Sequence, residues 1–552
     1  MSEFTEAMYH AADASRGLIT VGDNRSRSAT WQEIHRQARC MAGALASAGV
    51  GPGTTVGVLA ADPADVAPLA QAIWMRGAAL TMLHQPTART DLNKWFADIA
   101  TALTMIDAET VVVGAPFDRA AARLRDGELP VIAIETLRDG SPVAPFDVGE
   151  QDIALLQLTS GSTGTPKAVE ITHANLAANT TALVTAAECV PERDVVVSWL
   201  PLSHDMGMIG FLTIPMQIGA QLIATTPDRF MRRPALWPEM ISTYGGTVTA
   251  GPNFSYALLA RCLESAPEGA FDLSSLRVAL NGAEPIDSRD IQRMTIAGSR
   301  FGLAPEAVVP AYGMAETTLC TSFDSPRQAP GVDVVAREDL ETHGRAVPGT
   351  DGSTRSIVSC GRPVRSMRVR ITDADGMALP ARHIGRIQVR GPMVTRGYVT
   401  VDGRVPAQDA DGWLDTGDLG YRDEADELYV CGRVKDVIII GGKNLYPTDI
   451  ERVVCTVDGV RAGNAVAVRI DAGEVRESFT VIAESMHADD PQRAGQLQAQ
   501  IARTVRREVG YSPRQVFVVA PRTLPKTPSG KPRRRAAAEL VTTLAPEGNA
   551  KP

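Results

Sequence analysis

Lysine is scarce in this chain. Of its 55 basic residues only seven are lysines: Lys94, Lys167, Lys435, Lys443, Lys526, Lys531 and Lys551. Arginine therefore supplies most of the positive charge, and a retained lysine marks a place where a compact ammonium serves better than a planar fork. Long apolar runs are missing too. The richest stretch, Val56 to Leu80, is broken by Asp62, Asp65 and Arg76, so no stable membrane insertion is expected. Met1 to Gly22 lacks the basic start, apolar centre and small-residue cleavage site of an export signal, which makes the cytoplasm the expected location. The seven cysteines are scattered, with no Cys-x-x-Cys pair and no close cysteine–histidine cluster. That argues against a zinc site and for reduced, mostly buried thiols. Positive charge is in deficit, at a formal net −9, which argues against nucleic acid as a partner. No repeat of solenoid period is visible.

What is present is ordinary globular composition in a chain too long for one core: 552 residues, 44% hydrophobic and 22% charged. More than one domain is expected. Apolar periodicity predicts helices over 31–48 and 63–77, with strands at 55–60, 110–113, 131–134, 154–158, 195–200 and 221–224. Such alternation indicates an α/β sheet with helical crossovers. From Asp333 to Ser359 the texture turns polar, rich in Gly, Ser, Thr and Arg, and reads as an insertion, linker or mobile element. Beyond Gly432 a strand at 437–440 and helices at 447–457 and 492–509 predict a compact α+β unit of ordinary domain size.

The run from Thr159 to Lys167 says most about chemistry. Thr159, Ser160, Ser162 and Thr163 offer hydroxyls, Gly161 and Gly164 let backbone amides approach an anion, and Lys167 adds charge. It reads as a polyphosphate-holding loop. A Walker loop needs Gly-Lys followed by Ser or Thr, whereas Pro166 precedes this lysine and Ala168 follows it. Flanking apolar strands predict the turn of a hairpin, with Thr172 capping a helix that starts near Asn175.

Five further segments follow in order: Asn281 to Ile286, containing Gly282, Ala283 and Glu284; Tyr312 to Thr317, containing Gly313, Met314, Ala315 and Glu316; Thr416-Gly417-Asp418; Gly432-Arg433-Val434-Lys435-Asp436; and Pro525 to Lys531. Taken singly, Glu316 reads as a solvated acid, Tyr312 as a core aromatic and Asp418 as a turn residue. Together and in this order they resemble the adenylate-forming superfamily of acyl and aryl acid synthetases, adenylation domains and luciferases, over nearly the whole chain.

That resemblance implies an α/β fold with a large, multi-subdomain N-terminal adenylate-forming domain over 1–433 and a hinge at 434–436 bearing Lys435. A small, mobile α+β C-terminal domain would cover 437–552. It implies ATP and Mg2+, with Glu316 as metal ligand, Lys531 bridging carboxylate and α-phosphate, Tyr312 against adenine, and Asp418 with Arg433 on the ribose. The segments Ser198–Gly207, Ala250–Phe254 and Gly441–Glu451, together with the stretch 333–359, resemble the fatty acyl-AMP ligases. Members of that subgroup pass the acyl group to the phosphopantetheine thiol of a holo acyl carrier protein. Ser203 and Ala315 depart from common patterns, which touches substrate shape more than chemistry. His204 would then lie near the carboxylate, and Met206, Met208, Ile209 and Phe211 would line an acyl tunnel; as residues alone they read equally well as core. Arg533, Arg534 and Arg535 form a basic run that reads as a solvated face or as a contact for an acidic carrier or phosphates. The rival readings are a fatty acyl-CoA synthetase and a non-catalytic sensor of nucleotide or acyl groups.

Overall fold

The structure, a computed structural model, describes residues 1–23, 25–86, 90–125, 129–160, 166–350, 353–472, 477–526 and 532–544. Two compact units emerge, and the chain passes between them several times. The first comprises Met1–Val332, Val358–Val369 and Gln388–Asp415; the second comprises Asp333–Ile357, Arg370–Ile387 and Thr416–Pro552. No helix among the described residues is long and apolar enough to cross a membrane.

Two large sheets build the first unit. One has eight strands, with Thr55–Leu59 paired in parallel to Ala79–Met82 and to Ala108–Val113. Its central strand Thr55–Leu59 is buried along its whole length, which is why it reads as an unbroken apolar run rather than an alternation. Helix Pro63–Met75 starts at the Asp62 cap, whose carboxylate accepts from Ala64 N–H at 3.0 Å. On the same sheet Ile153–Ser160 and Pro166–Thr172 pair antiparallel, so the predicted hairpin is found. The following helix begins at His173 rather than near Asn175, because Asn175 is the third residue of a capping box that Thr172 opens.

The second sheet positions the chemistry. Its parallel strands Val195–Ser198, Val248–Gly251, Val278–Asn281 and Val308–Tyr312 lie side by side in that order. Their carboxyl ends, where open α/β sheets bind ligands, are Ser198, Gly251, Asn281 and Tyr312. Four of the sequence segments singled out above therefore leave the sheet at one edge.

His173 also ties the N-terminal helix Glu3–Ala11 to this unit. Its Nδ1 lies 3.0 Å from Ser2 Oγ, and Phe4 packs edge-on against its ring. Burial lowers its pKa to about 4, against the raising influence of Asp152. A folded-state pKa below the unfolded value gives stability that is full above about pH 6.5 and lost as pH falls toward about 4. The unfolding free energy of the parent, read from urea titrations, is expected to drop over that window by up to about 3 kcal/mol. In His173→Asn that part of the slope should vanish. An unchanged pH profile would refute the assignment.

In the second unit, Ala465–Ile470, Ser478–Glu484 and Gln515–Val519 form a three-stranded sheet. Helix Pro491–Val509 covers it through Ala494, Leu497, Ile501, Val505 and Val509, at helical spacing. Two expectations change here. The polar stretch after Asp333 is folded: strand Val332–Ala336, helix Arg337–His343 and strand Thr354–Val358. Val335, Leu340, Ala346 and Ile357 enter a cluster with Tyr421, Tyr429 and Tyr446. Arg355, 6% exposed, pairs with Asp449 at 2.8 Å and lies over the Tyr446 ring, while Lys443 Nζ reaches Glu338 at 2.5 Å. Nor do the three arginines share one face. Arg533 and Arg535 are exposed, but Arg534 turns inward to both Glu451 oxygens at 2.8 and 2.7 Å. Burying Glu451 without that guanidinium would strand a charge.

Candidate active site

The hairpin strand Pro166–Thr172 carries Lys167, and its antiparallel neighbour Gly397–Thr400 sets Thr400 opposite Lys167 and Tyr398 opposite Val169. From the other sheet, Tyr312 ends its strand and the chain turns through a short 3-10 helix, Ala315–Thr317. These two strands and the 3-10 helix bring three side chains together. Lys167 Nζ lies 2.8 Å from Glu316 Oε1 and 3.9 Å from the centroid of the Tyr398 ring. Tyr398 donates its phenol proton to the same Oε1 at 3.2 Å. Glu316 is 7% exposed, so it is a buried carboxylate and not a solvated acid. Burial, and after it the charge of Glu316, push the Tyr398 phenol above its ordinary pKa, which keeps it a donor at neutral pH.

Around this cluster the other predicted residues are placed as follows. Glu284 accepts from the backbone N–H of Phe254 at 2.6 Å, joining two of the segments at the sheet edge. Ala283 adopts φ +68° beside Gly282, a left-handed corner that turns the chain sharply after Asn281. Tyr312 and Gly313 are half-buried, and Gly313 has no room for a side chain: a Cβ would meet the Leu319 carbonyl oxygen at 1.9 Å. His204 Nδ1 sits 2.7 Å from Asp205 Oδ1, which also accepts from Met206 N–H at 2.7 Å. Met206, Met208, Ile209 and Phe211 are all buried in a π-helical turn, Met206–Thr213. In the second unit, Asp418 and Arg433 face each other across paired strands with Arg433 Nε 3.3 Å from Asp418 Oδ1. Lys435 stands exposed in the three-residue turn that follows. Gly161, Ser162, Thr163, Gly164 and Lys531 lie outside the described residues, as does the side chain of Ser160. Thr159 Oγ1 is 3.5 Å from the Lys167 carbonyl.

The AMP-binding enzyme family matches residues 9–399. The chain belongs to that family. A Mycobacterium tuberculosis protein named as a ligase is 52% identical over 544 residues, covering 98% of this chain and 100% of its own. A second protein of that organism, named as a fatty-acid–CoA ligase, is 30% identical across 94% of this chain and 92% of its own. A solved structure from a study of fatty acyl-adenylate ligases of E. coli and L. pneumophila superposes with a TM-score of 0.89 at 29% identity. That likeness covers 99% of this chain and 98% of the other.

AMP-binding enzymes use ATP with Mg2+, and the residues here suit both. Mg2+ prefers one or two carboxylates supplemented by phosphate oxygens and water. Glu316 is such a carboxylate, buried and already oriented by an ammonium and a phenol. Tyr398 escaped the sequence reading, since it belongs to no recognised motif, and Asp205, although inside the segment Ser198–Gly207, was given no role there.

Proposed function

We propose that this AMP-binding enzyme is a fatty acyl-AMP ligase. The observation that carries the reading is the buried Glu316 carboxylate held between Lys167 and Tyr398 at the end of the phosphate-type hairpin. An oxygen of the fatty acid carboxylate attacks the α-phosphorus of ATP. The bond from that phosphorus to the bridging oxygen breaks, and pyrophosphate leaves. Two anions must approach each other, so the protein's contribution is charge neutralisation and alignment. Bound at Glu316, Mg2+ would neutralise phosphate charge. Lys167, with Thr159 and the residues 160–164, holds the departing phosphates, and Lys531 meets the carboxylate and α-phosphate. Tyr312, Gly313, Met314 and Ala315 with Gly282, Ala283 and Glu284 form the nucleotide wall, and Asp418 and Arg433 take the ribose hydroxyls. His204, oriented by Asp205, faces the carboxylate, while Met206, Met208, Ile209 and Phe211 surround the acyl chain. Rotation about Lys435 would exchange Lys531 for the acceptor.

In the second step the thiolate of a phosphopantetheine arm attacks the acyl carbonyl and AMP departs. A holo acyl carrier protein is the proposed acceptor. The folded element at 333–359 and the likeness to fatty acyl-adenylate ligases support it; the relative named as a fatty-acid–CoA ligase favours coenzyme A. Mass spectrometry of products from ATP and a panel of fatty acids, each with coenzyme A, holo-carrier protein or neither, separates them. Acyl-AMP without acceptor and acyl-carrier with it are expected. Acyl-CoA as main product would replace the carrier in this reading, and no adenylate from any acid would end it.

A further inference from the structure

The turn that follows Glu316 is strained. Thr318, 1% exposed, has φ +65° and ψ −53°, and Leu319 N–H donates to the Thr317 carbonyl at 2.7 Å. A bond closing over two residues around a positive φ is the rare kind of γ-turn. A β-branched residue is a poor occupant, because its side chain crowds the backbone there. Glycine would relax the turn if shape alone mattered.

Threonine has something glycine lacks. Its hydroxyl donates to the Met393 carbonyl at 2.7 Å. Two residues on, Thr395 N–H donates back to the Glu316 carbonyl at 2.9 Å. Thr395 is itself 1% exposed and gives its hydroxyl to Glu170 O at 2.5 Å. The run 393–395 leads directly into the strand bearing Tyr398, whose phenol holds Glu316 Oε1. The backbone and carboxylate of Glu316 are thus fixed from the same segment. Other bonds over-determine the turn: Asn179 Nδ2 donates to the carbonyls of Thr317 and Cys320, both at 3.3 Å, and Thr321 donates to Thr317 Oγ1 at 3.1 Å. Strain persists only where surroundings impose it in this way.

We propose that Thr318 is a positioning residue, whose strained turn and hydroxyl fix Glu316 against Tyr398 and Lys167 for the cation that accompanies ATP. The proposal rests on the reading of Glu316 as that cation's ligand. Thr318→Val, Thr318→Ser, Thr318→Gly and Glu316→Gln would be compared in three measurements. These are hydrogen exchange at the Thr395 amide of the free protein, calorimetric affinity for ATP with and without Mg2+, and the melting temperature. Loss of one buried hydrogen bond predicts that Thr318→Val exchanges Thr395 about 10-fold faster and loses about 10-fold of the Mg2+-dependent gain in ATP affinity. Thr318→Ser should keep both. Thr318→Gly should melt no lower than the parent yet lose the Mg2+-dependent gain, a separation that a purely structural role would not produce. If Thr318→Val and Thr318→Gly keep the parental gain while Glu316→Gln loses it, the Thr318 proposal alone fails. If Thr318→Gly loses the gain only in step with its melting temperature, it fails as well. Should Glu316→Gln keep the gain, both it and the reading beneath it fall.

Discussion

Glu316→Gln is expected to lower ATP–pyrophosphate exchange by about 10²- to 10³-fold, the usual loss when one charge-stabilising group is removed from a reacting centre. The change is nearly isosteric. Tyr398 can donate to an amide oxygen as it does to Oε1, so the local packing should survive and the melting temperature should move little. What disappears is the anionic oxygen that a hard cation requires. Lys167 loses its partner at 2.8 Å but keeps the face of the Tyr398 ring, 3.9 Å away, so it should remain in place near the phosphates. Lys167→Ala should therefore cost far less, on the order of 10-fold, because this half-buried ammonium on the hairpin strand contributes little beyond a point charge. Glu316→Gln with exchange within about 3-fold of the parent would remove the carboxylate from the mechanism.

The second large effect belongs to Lys531. Its alanine variant should lose about 10³-fold in adenylation, yet lose much less when a chemically prepared acyl-adenylate is offered with the thiol acceptor. In the proposed sequence Lys531 serves the first bond-making step and is absent from the second. Quenched-flow measurement of each half-reaction would resolve the two. Equal losses in both would mean that Lys531 supports the fold or the adenylate site generally, and the proposed division of labour would be wrong.

Physical reasons separate what could be read in advance from what could not. The strand 221–224 and the helix at 63–75 were legible because burial on both sides leaves continuous apolar runs and because Asp62-Pro63 starts a helix chemically. Asn281 to Ile286 and Tyr312 to Thr317 were recognised only as nucleotide segments; that they leave the ends of adjacent strands, Val278–Asn281 and Val308–Tyr312, is a property of sheet order, which no local pattern encodes. Tyr398 lies 82 positions from Glu316, and only its pairing with the Lys167 strand brings it near. A Gly-Tyr-Val-Thr alternation was its sole signal. Composition hid the folded elements of the stretch 333–359: five buried apolar side chains, Val335, Leu340, Ala346, Ile357 and Val358, stand at irregular spacing among Gly, Ser, Thr and Arg. Arg534 misled by its neighbours, since a run of three like charges at the start of a helix sends one of them inward.

The second unit is discontinuous in the chain, and this sets the order of events at the ribosome. Asp333–Ile357 is synthesised well before Tyr421, Tyr429 and Tyr446, the residues that cover Val335 and Leu340. At about 5–20 residues per second, translation leaves those apolar side chains without their cover for several seconds. During that interval the nascent chain presents an orphaned piece of core to whatever surrounds it, and early termination anywhere between the two segments would leave it so permanently. Trigger-type chaperones that shield short apolar segments would be expected to hold this chain longer than one whose last domain is encoded in a single stretch.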